Sequence, residues 1–389
     1  MTFSEQERIY TVIMRSGTSK GIYLNENDLP QDQELRDKVI LSLFGSPDPR
    51  QIDGLGGAEP LTSKLALVAP SNRPDADIDY TFGQVEINKP VIHYSGLCGN
   101  ISAGVAPYAI EEGLVKAVEP VTSVRVYSTN NGQIFVTEVP VKNGKPQVLG
   151  DYALDGVPGT GAKINIDMST TSGTVKGLLL PTRNVRDKID VAGFGEIEIS
   201  LIDVVNPCIF VRAADLGLRG DESPAEFNKN AQTIVVLENI RAKVAEEILG
   251  FKGWSQAEVR DPNPFIAFVS PAKSYINHLT KEEVAADDVD ILSRVLFLGG
   301  MHQTHPGSIS CVVGAAAVIP GTIANEASGF KEMAKTVRIG HPGGIIEVEA
   351  AVEKGEKEAY QLTRAVYSRT VRRLMDGYAY VPQTIFALE

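Results

Sequence analysis

The feature that most constrains this chain is a faint internal repeat. Ile22-Tyr23-Leu24 is echoed by Ile209-Phe210-Val211, and Leu65-Ala66-Leu67-Val68-Ala69-Pro70 by Ile266-Ala267-Phe268-Val269-Ser270-Pro271. Gly99-Asn100-Ile101-Ser102 is echoed by Gly307-Ser308-Ile309-Ser310, and Val124-Arg125-Val126 by Val337-Arg338-Ile339. The four pairs keep their order at offsets of roughly 190 to 210 residues. Singly each echo is weak; in order they describe a chain that builds one α/β unit twice. The length of 389 residues suits two ordinary domains, and 43% hydrophobic content can fill both cores. In each half the third block opens a helix of apolar and small residues with no polar face. Such a helix is buried, so each half reads as strands around one central helix, with a site expected in the crevice between halves. The halves are drawn at 1–183 and 184–370, with 371–389 as a tail that can return to the first half.

The halves differ where chemistry is expected. Cys98 lies between an alternating strand, Val91-Ile92-His93, and the helix that opens at Gly99. The positive end of a helix dipole and its amide groups stabilise a thiolate there. The competing reading is a cysteine packed as a small hydrophobe. Lys64 heads the apolar strand Leu65-Ala66-Leu67-Val68. Desolvation disfavours an ammonium and makes a lysine usable as a base; the alternative is a lysine that snorkels to water. In the second half Phe265 stands opposite Lys64 in the alignment, and Pro306 opposite Cys98. The second helix start offers His302, Thr304, His305, Gly307, Ser308 and Ser310, which are donors suited to holding a ligand.

The loop Arg15-Ser16-Gly17-Thr18-Ser19-Lys20-Gly21 joins two strands and is rich in hydroxyls, glycine and positive charge. It reads as a nest for a carboxylate or phosphate, or as a plain hairpin turn. It lacks the glycine spacing of a nucleotide P-loop, and a strand rather than a helix follows it. Asp53-Gly54-Leu55-Gly56-Gly57 is not a dinucleotide fingerprint, because Pro60 interrupts and Leu65 to Val68 is a strand. Asn27 or Asp28 is expected to cap the helix whose stripe is Leu35, Val39, Ile40 and Leu43, with Pro30 in its first turn and Gly45 at its end.

Net charge is −12, which leaves no basic footprint for nucleic acid or an anionic membrane. The three cysteines, Cys98, Cys208 and Cys311, are too few and too far apart for a disulfide framework. Cys208 and Cys311 read as structural. The histidines show no ligand spacing with a third partner, so no metal is expected. Met1 to Arg8 is polar and unlike a secretory signal, and no apolar run spans a bilayer. A cytoplasmic protein is expected, with homo-oligomerisation left open.

Met14-Arg15-Ser16-Gly17-Thr18-Ser19-Lys20-Gly21, Asp53-Gly54-Leu55-Gly56-Gly57, Thr62-Ser63-Lys64, Cys98-Gly99-Asn100 and Ile319-Pro320-Gly321-Thr322 together resemble a known family. It is that of the cofactor-free isomerases of small unsaturated polycarboxylic acids, which includes 3-methylitaconate delta-isomerase, methylaconitate cis–trans isomerase and 4-oxalomesaconate tautomerase. The resemblance runs nearly end to end. It implies an α/β (α+β) fold of two diaminopimelate epimerase-like halves, each a strand barrel around a central helix. It implies no cofactor, a small anionic polycarboxylate substrate, and a 1,3-allylic proton shift of the 3-methylitaconate to 2,3-dimethylmaleate type. The family's lysine and cysteine acid/base pair falls on Lys64 and Cys98. Carboxylate binding is expected from Ser16, Thr18, Ser19, Lys20, Gly99, Asn100, His305 and Ser308. The absence of a second cysteine at Pro306 argues against the two-cysteine racemases of the same fold. A hydrolase pairing Cys98 with His93, and a non-catalytic carboxylate-binding protein, remain the rival readings.

Overall fold

The computed structural model describes residues 5–256, 263–355 and 359–387. Met1 to Ser4 of the polar N-terminus and the last two residues of the tail lie outside the described residues. The chain forms two compact units. The first comprises 1–153, 159–165 and 369–389; the second comprises 154–158 and 166–368. Set beside a single cut after 183, the chain passes between units more than once.

In the first unit β1 (Gln6–Ser16) and β2 (Ser19–Asn25) form an antiparallel hairpin with Ser16 opposite Ser19. The hydroxyl-rich loop is therefore a tight turn at Gly17-Thr18, with strand running to either side. Helix α1 (Gln33–Phe44) follows, buries Val39, Ile40, Leu43 and Phe44, and ends at Gly45. Its cap is Asp32, whose carboxylate accepts from Leu35 N at 2.9 Å. Neither Asn27 nor Asp28 fills that role; both belong to a short 3-10 turn capped by Asn25. The reason is Pro30. It forces Leu29 into an extended conformation (φ −109°, ψ 159°), so the helix starts only beyond it.

Strand β3 (Lys64–Pro70) runs parallel to β2 with Gly21 beside Lys64, and antiparallel to β4 (Ile78–Val85) with Lys64 opposite Gln84. Short β5 (Ile92–His93) pairs antiparallel with the end of β4 and leads into helix α2 (Gly99–Glu111). Gly99 through Ile110 are all buried. Strand β6 (Val121–Ser128) lies parallel to β4 and antiparallel to β7 (Ile134–Lys142).

The second unit repeats this plan. Strands β8 (Gly195–Val204) and β9 (Asn206–Arg212) form a hairpin, and after α3 (Ala231–Lys243), β10 (Phe265–Pro271) runs parallel to β9. Strand β11 (Ile291–Phe297) is antiparallel to β10 and precedes α4 (Gly307–Val318), every residue of which is buried. Strand β12 (Ala334–His341) runs parallel to β11 and antiparallel to β13 (Gly344–Glu353). The four echoed blocks thus fall on β2 and β9, β3 and β10, α2 and α4, and β6 and β12. The last strand, β14 (Val371–Pro382), belongs to the first unit and pairs antiparallel with β1 along its whole length, with one irregularity at Ile13 and Met14. Cys208 and Cys311 are free thiols with fully buried side chains, and burial pushes the Cys208 thiol up from its ordinary value. Among the described residues, no helix is long and apolar enough to cross a membrane.

One ion pair is duplicated with the fold. Arg125 donates to both oxygens of Asp77, at 2.7 Å from its amide and 2.7 Å from Nη2; Arg338 does the same to Asp290, at 2.8 Å and 2.8 Å. Burial works against the Asp290 carboxylate, but the Arg338 guanidinium and amide outweigh it and hold its pKa below the ordinary value. A lowered carboxylate pKa adds stability above the unfolded value and loses it as pH falls through the folded one. Asp290→Asn is therefore expected to lower the melting temperature near pH 6, with the gap to wild type closing towards about pH 3. A gap that stays constant over that range, in calorimetry, would rule out this ion pair as its source.

Candidate active site

Register brings the first-half residues together. Lys64 is the first residue of β3 and is paired with Gln84 on β4; side chains of directly opposed residues share a face. Gln84 and Phe82, two residues apart, lie on that same face. The Lys64 side chain is drawn across it, 4% exposed, with Nζ 5.5 Å from the centre of the Phe82 ring. Nζ donates to Gln84 Oε1 at 3.1 Å and to Cys98 Sγ at 3.4 Å. Cys98 is the N-cap residue of α2, and its side chain makes no capping hydrogen bond, so the thiol is not spent on the helix end. Its carbonyl instead receives Ser102 N and Ser102 Oγ, both at 2.9 Å, which fixes the first turn.

Asn100 ties the helix start to the β1–β2 turn. Its Nδ2 donates to Thr18 Oγ1 at 3.0 Å and to Ser19 Oγ at 3.4 Å, while Ser16 Oγ donates to its carbonyl. Its Oδ1 accepts from Arg369 Nε at 2.7 Å. Because Arg369 can only donate, this bond fixes the amide orientation. Gly17 makes the approach feasible. It has φ +55°, and a Cβ there would lie 2.2 Å from Asn100 Oδ1 and 2.9 Å from Arg369 Cδ. Gly104, one α2 turn on, plays a packing role: a Cβ there would lie 2.4 Å from the Tyr23 hydroxyl, which donates to Ile101 O at 2.7 Å. Burial pushes the Tyr23 hydroxyl pKa well up, so it remains a donor.

The glycine-rich loop before β3 supports the lysine from behind. Gln51 is buried at its centre; Oε1 accepts from Ala58 N and Ser63 Oγ, each at 2.8 Å, and Nε2 donates to Ser46 Oγ at 3.0 Å. The motif Asp53 to Gly57 is thus a loop wound around Gln51 that fixes the residue before Lys64.

Of the residues expected in the site, Ser16, Thr18, Ser19, Lys64, Cys98, Gly99 and Asn100 gather in the first unit. Lys20 is half-buried, and its amide donates to Leu61 O at 3.0 Å. His305 and Ser308 lie at the start of α4 in the second unit. His305, 2% exposed, bonds Ser310 Oγ at 2.8 Å through Nδ1 and Ser293 Oγ at 3.1 Å through Nε2; Ser308 Oγ accepts from Asn206 Nδ2 at 3.2 Å. The N-cap residue of α4 is Pro306, as that of α2 is Cys98, and β10 begins with Phe265 where β3 begins with Lys64. His93 bonds Glu86 Oε1 at 3.2 Å through Nε2, which occupies the nitrogen a cysteine–histidine hydrolase would need for one of its two tasks.

Three site-building residues escaped the sequence reading: Gln84, Gln51 and Arg369. Gln84 carried a signal, since Ile78, Tyr80, Phe82 and Gln84 are the inward register of β4 and only the last is polar. Arg369, 1% exposed, is a lone charge in the stretch Ala365 to Val371.

Chemically, an amine and a thiol in contact at the start of a helix supply both an acid and a base. The arrangement suits proton removal and return on an anion held by the neighbouring donors.

Known proteins resemble this chain over nearly its full length. The family described as PrpF protein matches residues 6–382. The chain is 50% identical to 3-methylitaconate isomerase of Eubacterium barkeri over 379 residues, covering 97% of this chain and 98% of that protein. It is 38% identical to 2-methyl-aconitate isomerase of Shewanella oneidensis, covering 98% of each, and 37% identical to (4E)-oxalomesaconate Delta-isomerase of a Novosphingobium species, covering 95% and 96%. The crystal structure of methylitaconate-delta-isomerase superposes with a TM-score of 0.81 at 48% identity, covering 99% of this chain and 98% of that one. A probable proline racemase from Agrobacterium radiobacter shares the fold alone, with a TM-score of 0.60 at 16% identity, covering 95% and 92%.

Proposed function

The chain belongs to the family described as PrpF protein, and on that premise we propose that it is a cofactor-independent isomerase moving a double bond in a small unsaturated di- or tricarboxylate. The identity to 3-methylitaconate isomerase favours the 3-methylitaconate to 2,3-dimethylmaleate type of reaction. The 2-methylaconitate and 4-oxalomesaconate types are the alternatives, at lower identity. The observation that carries the mechanism is the 3.4 Å contact between Lys64 Nζ and Cys98 Sγ.

In this reading one of the two groups takes the allylic proton. The C–H electron pair moves into the allyl unit and spreads onto the conjugated carboxylate as a dienolate. The other group returns a proton to the far carbon, so the double bond moves by one position and no net charge is transferred. Two different groups suit a shift that spans three carbons. The amides at the start of α2 and its dipole stabilise the added negative charge. Ser16, Thr18, Ser19, Lys20 and Asn100 hold carboxylate oxygens. Both reactive groups come from the first unit; the corresponding Phe265 and Pro306 cannot exchange protons, which supports transposition over a symmetric two-thiol racemisation. A cytoplasmic site of action fits three cysteines that are all free thiols.

The test is direct. The protein is incubated separately with 3-methylitaconate, 2-methylaconitate and 4-oxalomesaconate in deuterated water, and double-bond position and label are followed by NMR. Transposition with deuterium at the newly protonated carbon is expected, fastest with 3-methylitaconate. Binding without any change in double-bond position would instead favour a carboxylate-binding protein.

A further inference from the structure

Gln84 is 2% exposed, and all three of its side-chain hydrogen bonds are to named groups. Nε2 donates to Pro60 O at 3.1 Å and to Ser63 O at 3.2 Å; Oε1 faces Lys64 Nζ at 3.1 Å. Carbonyl oxygens only accept, so the two backbone partners decide which end of the amide they receive. The amide cannot flip without setting oxygen against oxygen twice and NH₂ against the lysine. A glutamate has no donor for those carbonyls when ionised, and an aliphatic side chain has neither donor nor acceptor.

We propose that Gln84 is the positioning residue for Lys64: a neutral acceptor, locked by the loop before β3, that aims the lysine nitrogen at Cys98. The neutrality matters as much as the aim. A carboxylate in that place would add a negative charge beside the lysine nitrogen and favour its ammonium form, whereas an amide oxygen accepts the same hydrogen bond without adding charge. The titratable groups on the elements around Lys64 include Cys98 at the start of α2 with Tyr108 and Glu111 further along it, Lys20 and Tyr23 on β2, Asp79 and Tyr80 on β4, and His93 with Glu86 beside β4 and β5. This inference rests on Lys64 and Cys98 being the proton-handling pair, and the experiment separates the two ideas.

Lys64→Ala, Gln84→Met and Gln84→Glu are compared with wild type using 3-methylitaconate and 2,3-dimethylmaleate, each in deuterated water. Turnover that survives Lys64→Ala overturns the underlying pair, whatever Gln84 does. With that turnover lost, Gln84→Met is expected to lower kcat about 10- to 100-fold with little change in KM. It should also slow only the step served by the lysine. Label exchange relative to transposition then rises from one of the two substrates and not from the other. Unchanged kcat, or equal loss of exchange and transposition from both substrates, overturns the proposal in favour of a purely structural glutamine. Gln84→Glu keeps the shape and is the second variant: its kcat–pH profile should move to higher pH, and an unmoved profile overturns the neutral-acceptor argument.

Discussion

Cys98→Ser is expected to lower turnover by about 10²- to 10⁴-fold while leaving the fold intact, and Lys64→Ala to do the same. The serine hydroxyl is nearly the size of the thiol but a far poorer proton donor and acceptor near neutral pH. Cys98 caps α2 without using its side chain, so the helix loses nothing when sulfur becomes oxygen. Lys64 requires more care, because removing a buried amine leaves Gln84 Oε1 without its donor. Lys64→Met, which keeps the aliphatic stem against Phe82, is the better control for folding. Steady-state rates, circular dichroism and melting temperature read the two effects apart. Near wild-type turnover in Cys98→Ser would remove the thiol from the proton relay. Loss of activity with a collapsed melting temperature in both lysine variants would make Lys64 structural.

The second large effect is expected at a residue with no chemistry. Gly17→Ala places a methyl group 2.2 Å from Asn100 Oδ1 and 2.9 Å from Arg369 Cδ, at a φ of +55° that alanine adopts at a cost of about 1 kcal/mol. Asn100 cannot swing away freely, because its other end is bonded to Thr18 and Ser19 and its carbonyl to Ser16. The helix start must shift instead, and Cys98 with it. Turnover is expected to fall at least about 100-fold, because misplacements of about 1 Å near reacting groups have that effect. A wild-type-like rate in the alanine variant would show that the turn and the helix start are not mechanically coupled. Gly132 is the control: it also has positive φ (+71°), but a Cβ there would meet only the hydroxyl of Tyr127, at 3.8 Å. Gly132→Ala should cost stability without selectively lowering activity.

The sequence carried the architecture because the repeat is written in apolar strings, and apolar strings fix strand register and buried helices. Leu65 to Val68 and Ile266 to Val269 could hardly be anything other than buried strands. That Cys98 and Lys64 meet is consistent with where each stands in the sequence, a titratable group at the head of an element made otherwise of inert residues. Gln84 and Arg369 were not, because their roles depend on which atoms lie opposite them. A glutamine in an inward register announces burial, but only the carbonyls of Pro60 and Ser63 say which way its amide points. The α1 cap was misjudged over a few residues for a local reason, the extended residue that Pro30 imposes before itself. The loop at Asp53 to Gly57 was set aside as a dinucleotide fingerprint, and its glycines each meet a different neighbour: a Cβ at Gly54 would lie 2.1 Å from Gly45 N, at Gly56 2.2 Å from Gln51 Oε1, and at Gly57 2.1 Å from Thr62 Oγ1.

Strand β14 has a consequence for how the molecule is made. On the ribosome, Lys64, Gln84 and Cys98 emerge long before Arg369. The guanidinium that orients Asn100 follows it by 269 positions, and the strand that pairs with β1 comes just after that arginine. The nascent chain can therefore fold most of its first unit around α2 and still hold an unfinished helix start, completed only when the C-terminal segment docks. A chain lacking Arg369 and β14 would keep Lys64 and Cys98 but lose the bond that orients the Asn100 amide.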